Sequence, residues 1–125
     1  MTRARFEEIA QRAFDRLPEK FRGSVENVQI VVEDYPSADA QRRTRAGKHG
    51  LLGLYQGVPL PLRGTSYGMY PVAPDSISLY QANIEAVCHS EEEVMDRIVE
   101  VLYHELGHYF GMNEKEVREA MKKFE

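Results

Sequence analysis

A chain of 125 residues with 42% hydrophobic and 29% charged side chains has room for one hydrophobic core and lies away from disordered compositions, so a single domain spanning residues 1–125 is expected. Its net charge of -4, from 20 acidic and 16 basic residues, and the lack of a long basic run argue against nucleic acid as a partner; the cluster Arg42, Arg43, Arg45 and Lys48 reads as a solvated loop. The single cysteine, Cys88, excludes an intrachain disulfide and a four-cysteine zinc site, and neither a signal-like apolar core nor a stretch of about 18 apolar residues occurs, so a soluble cytoplasmic protein without membrane contact is expected.

From the N-terminus, Phe6, Ile9, Ala10, Ala13, Phe14 and Leu17 fall at helical spacing, which predicts a helix over Thr2 to Leu17 with one apolar face, ended by Pro18. The β-branched run "NVQIVVEDY" (27–35), bounded by Gly23 and Pro36, predicts a largely buried strand. Ser37 to Gly50 is polar and reads as a surface loop. Leu51 to Tyr55 reads as a short strand limited by Gly57, Pro59 and Pro61, and "GTSYGMYPVAPD" as a long irregular loop. In "SISLYQANIEAV" (76–87) the alternation predicts a strand with Ile77, Leu79 and Gln81 on one face and Ser76, Ser78 and Tyr80 on the other.

Ser90 followed by Glu93 is a capping-box pattern, and Glu91 and Glu92 add negative charge where a helix dipole is positive. A helix is expected from there to Phe110, with Gly111 as its left-handed C′ residue. On a helical wheel its apolar residues fill one broad arc, His104 and His108 project from the polar remainder, and Glu105 stands at the border. Asn113 reads as the N-cap of a closing helix, "EKEVREAMKKF", with Glu116 at N3.

The chemistry lies in "HELGHYFGMNE" (104–114). A lone helical histidine is most often structural, but two at i and i+4 stack on one face and can reach a common metal ion at about 2.0–2.1 Å. Glu105 can then reach a water beside that ion and act as general base. Glu114, brought back by the turn at Gly111, is the candidate third ligand; its rival role is a helix-start carboxylate favoured by the dipole alone. Tyr55, Tyr67, Tyr70, Tyr80, Tyr103 and Tyr109 all remain candidates for oxyanion stabilisation, each with packing as the simpler role. His89 beside Cys88, and His49 in the charged segment, are given no site.

The pattern His104, Glu105, His108, Gly111 and Glu114 resembles the zincin metallopeptidases, and within them the small bacterial proteins called minimal zincins. The resemblance covers nearly the whole chain. It implies an α+β zincin-like fold: a short mixed β-sheet packed against an N-terminal helix and an active-site helix, with a C-terminal helix. It further implies Zn2+ held by His104, His108 and Glu114 with a fourth position open, Glu105 as catalytic base, and a peptide or exposed protein segment as substrate. That substrate would pair with an edge strand, for which "SISLYQANI" is the candidate. Unlike the larger metzincins, the chain has a glutamate, Glu114, where they carry a third histidine or an aspartate, and Met121 falls in the predicted closing helix rather than in a methionine turn. A non-catalytic zinc-binding interaction module and a narrow regulatory protease acting on one partner protein are the competing functions.

Overall fold

The computed structural model describes residues 1–23, 28–57 and 75–124. Helix α1 (Arg3–Asp15) starts where Thr2 Oγ1 accepts from the Arg5 N–H at 3.1 Å. Its expected stripe is inside: Phe6, Ile9, Ala10 and Ala13 are buried, as is Leu17 just beyond the helix. Pro18 opens a one-turn helix, α2 (Glu19–Arg22), too short to carry a periodic signal. Its Phe21 ring packs on Tyr103 and Phe110, with centroids 4.7 and 5.3 Å away.

Strand β1 (Val28–Glu33) is half buried rather than largely buried, with Gln29, Val31 and Glu33 exposed. The reason is position. Among the described residues the sheet order is β1-β3-β2, so β1 lies at an edge, parallel to its neighbour. Asn27 lies outside the described residues.

The expected loop over 37–50 contains a helix, α3 (Ala38–Thr44). Ser37 Oγ accepts from Ala40 N–H at 3.0 Å, Asp39 pairs with Arg43 four residues on at 2.8 Å, and only Ala40 is buried. A helix held by its cap and charge pairs has no apolar stripe to reveal it.

Strand β2 (Gly53–Gln56) matches the expected short strand and runs antiparallel to β3 (Asp75–Tyr80). The segments around Pro59 and Pro61, and 64–74 of the expected irregular loop, lie outside the described residues. Strand β3 ends at Tyr80, and Gln81–Ala86 is a helix, α4, against the expectation of a strand to Val87. Gln81 is buried because its amide is satisfied: the oxygen accepts from Arg3 Nε at 2.8 Å and the nitrogen donates to Met1 O at 3.0 Å. Strand β3 is also the central strand, paired on both sides. It therefore cannot be the edge that receives a peptide, as was expected of "SISLYQANI"; among the described residues, the edge beside the motif helix is β2.

Helix α5 (Glu91–Tyr109) begins as expected, with Glu93 N–H donating to Ser90 Oγ at 3.1 Å, while the Glu93 carboxylate turns back to accept from His89 N–H. It packs against α1, β2, β3 and the closing helix α6 (Glu114–Phe124). Val94, Ile98, Val99, Val101, Leu102, Leu106 and Tyr109 form its buried side, joined in one core with Phe6, Ile9, Ile77 and Leu79. No helix among the described residues is long and apolar enough to cross a membrane.

Candidate metal centre

The end of α5 and the start of α6 are fixed by two backbone motifs that the sequence announces. Gly111 takes φ 80°, its N–H donates to His108 O at 2.9 Å, and Met112 N–H donates to Gly107 O at 2.9 Å. This is the paired bonding of a Schellman turn, which a residue with a Cβ enters only with strain. Asn113 Oδ1 then accepts from Glu116 N–H at 2.8 Å and Glu116 Oε1 accepts from Asn113 N–H at 3.0 Å, a closed capping box. Glu114 is thereby set at N1, with its side chain turned back toward α5.

There it meets both histidines. Glu114 Oε2 lies 2.9 Å from His104 Nε2 and Oε1 lies 3.2 Å from His108 Nε2, and the two half-buried rings stand 4.8 Å apart at 72°. The helix-start role and the contact with both imidazoles coexist in one side chain. On the other side of His104, Nδ1 is 2.8 Å from Glu105 Oε2. Glu105 is buried, 8% exposed, and its Oε1 accepts from the backbone N–H of Tyr55 in β2 at 2.8 Å.

That backbone donor is the site component no motif encodes. Its only trace in the sequence is Gly53: a Cβ there would come within 2.5 Å of Val101 Cγ1 and 2.9 Å of Ser78 O, so glycine lets β2 lie close against α5. The same closeness lets the Tyr55 N–H, which turns away from β3, reach the helix.

The electrostatics follow from these contacts. The Glu105 carboxylate beside His104, followed by that of Glu114, holds the imidazolium form and raises its pKa to about 9, against partial burial that opposes the charge. In that form both ring nitrogens donate. The His104 contact in turn holds the Glu114 carboxyl below its ordinary range, with the His108 charge adding to it.

Leu51, Leu54, Tyr55 and Met112 join His104, Glu105 and His108 around an open cleft of about 660 Å³. Tyr55 points its hydroxyl at Asp75 Oδ2, 2.7 Å away, and Tyr80, Tyr103 and Tyr109 are buried in the core; Tyr67 and Tyr70 lie outside the described residues. His49 is exposed and stands edge-on to Tyr35, and His89 is exposed on the far end of α5. Among the described residues, the group of side chains able to gather a metal ion is His104, Glu105 and His108, whose ligand atoms lie within 4.8 Å of one another. Glu114 stands outside that group, yet it is the carboxylate that meets both Nε2 atoms, while Glu105 meets His104 through Nδ1.

A small mixed sheet crossed by a helix bearing His-Glu-x-x-His, with the histidines opening on a cleft beside an edge strand, defines a zincin-like protein. The model of the zincin-like metallopeptidase family matches residues 25–123, and the chain belongs to that family. Among solved structures it is similar to a conserved hypothetical protein from T. thermophilus, at 21% identity and a TM-score of 0.53, over 99% of this chain and 100% of that one. That likeness shows a shared fold. None of the curated proteins matches the chain.

Proposed function

We propose that the protein is a zinc-dependent peptidase of the cytoplasm in which His104, His108 and Glu114 hold the metal and Glu105 is the general base. The observation that carries this is the meeting of two imidazole Nε2 atoms with one carboxylate, at 2.9 and 3.2 Å, at a cleft with a second, buried carboxylate beside them. The donor set fits zinc, which takes imidazole nitrogen and carboxylate oxygen: each Nε2 already faces an oxygen of Glu114, at 2.9 and 3.2 Å. When bound, the ion supplies Lewis acidity to a scissile carbonyl and to an attacking water.

Glu105 takes a proton from that water at its carboxylate and passes it to the leaving amine. Tyr55 N–H and the buried setting fix the carboxylate's orientation, and α5 fixes its distance from the histidines. An extended peptide or exposed protein segment would lie along β2, an edge of the sheet among the described residues, where backbone pairing tolerates many sequences. Leu51, Leu54 and Met112 offer apolar contact for its side chains.

The test is metal content together with cleavage of a diverse peptide pool, for the wild type and for Glu105→Gln. Zinc in both with cleavage only in the wild type is the expected result. Zinc in both and cleavage in neither points instead to a binding module or to a protease that needs one partner protein, and a wild type that takes up no zinc removes the site. Glu114→Ala should weaken zinc retention; unchanged affinity would leave Glu114 as a helix-start residue only.

A further inference from the structure

We infer that Gly107, inside the His-Glu-x-x-His motif, is a positioning residue: its missing side chain leaves the notch in which Val117 of α6 docks, and that docking holds Glu114 against the two imidazoles. The inference rests on the metal-site reading above. A Cβ built on Gly107 would lie 2.5 Å from Val117 Cγ2 and 3.5 Å from its Cβ and Cγ1. Val117 is fully buried, and a β-branched side chain in a helix has essentially one rotamer, so it cannot swing aside. Relief must come from movement of the helix itself.

Glu114 and Val117 stand three residues apart in the first turn of α6, on neighbouring positions of one face. Val117 N–H also donates to Asn113 O at 3.0 Å, closing that turn. The turn moves as a unit, so a displacement at Val117 is passed to Glu114. Restoring ordinary contact from 2.5 Å requires a shift of about 1 Å, which is large against the roughly 0.2 Å tolerance of a metal–ligand distance. Glycine is also a poorer residue than alanine in a helix interior. Its place between the two ligand histidines is explained by the space it leaves.

Zinc affinity measured by chelator competition on Gly107→Ala, Val117→Ala, Glu114→Ala and the pairwise combinations tests this. Gly107→Ala should weaken binding at least tenfold, and adding Val117→Ala, which reopens the notch, should recover most of the loss. In the Glu114→Ala background Gly107→Ala should have no further effect, because Gly107 acts through Glu114; general damage to the fold would still lower affinity there. Wild-type affinity in Gly107→Ala, or the same loss with and without Glu114, overturns the inference. If Gly107→Ala fails to fold, Val117→Leu overfills the notch from the α6 side, and undiminished zinc binding in that variant overturns it equally. A wild type without zinc, or a Glu114→Ala variant that binds as tightly as the wild type, fails the metal-site reading first; weakened Glu114→Ala with unaffected Gly107→Ala fails this inference alone.

Discussion

His104 is the side chain on which the site's electrostatics converge, with Glu105 at Nδ1 and Glu114 at Nε2. Its folded pKa of about 9 lies above the ordinary 6.5, so folding takes up a proton. For the metal-free protein this contribution is fully present below pH 6.5 and is lost as the pH rises through about 9. Urea midpoints of chelator-treated wild type and His104→Gln should therefore differ most near pH 6 and converge by about pH 9.5; a gap that stays constant with pH would show that the ion pairs do not form. Zinc takes neutral imidazole, so uptake at neutral pH should also release a proton to the buffer.

At the scale of elements, the ends of α5 and the start of α6 are where one-dimensional signals were most complete. Ser90, Glu93, Gly111, Asn113 and Glu116 each occupy the capping role their residue type suggests, because caps are local bonds within a few residues of chain. The cap on α6 can be tested apart from the metal. Asn113→Ala removes the acceptor for Glu116 N–H and should cost about 1 kcal/mol in urea unfolding, and by loosening the turn that carries Glu114 it should also weaken zinc binding. A variant with wild-type midpoint would mean the cap bonds are replaced by water at no cost.

Other elements were illegible for physical reasons. Helix α3 buries only Ala40, so no stripe betrayed it. The Ser76–Val87 alternation misled because Gln81 and Asn83 are buried polar groups whose amide nitrogens are bonded, Asn83 Nδ2 to Lys48 O at 2.9 Å and Leu51 O at 2.8 Å. Periodicity assumes that buried means apolar. Which strand is central and which is the edge depends on pairing between distant segments, and that put the substrate edge on the wrong strand. The grouping of the candidate site was legible because two histidines and two acids lie within 11 consecutive positions, whereas the Tyr55 N–H comes from elsewhere in the chain.

For the whole molecule, the metal would tie α6 to α5 at the open end of a fold whose main core lies among α1, α5 and the sheet. The corner itself has one fully buried apolar contact, Val117, in the described part of α6. Binding to the folded state alone stabilises by mass action, about 2.7 kcal/mol at a free zinc concentration 100 times the dissociation constant. For a domain of this size that corresponds to a rise in Tm on the order of 10 °C, which thermal unfolding in zinc buffer and in chelator measures directly. On the proposed metal site, the rise should shrink with Glu114→Ala, which would remove a ligand, and persist with Glu105→Gln, which would remove only the proton acceptor. A core substitution on another helix, such as Ile9→Ala in α1, should lower stability by about 2–5 kcal/mol with and without zinc and leave the zinc-dependent increment intact. An equal zinc shift in the Glu114→Ala variant would place the stabilising ion somewhere other than this corner.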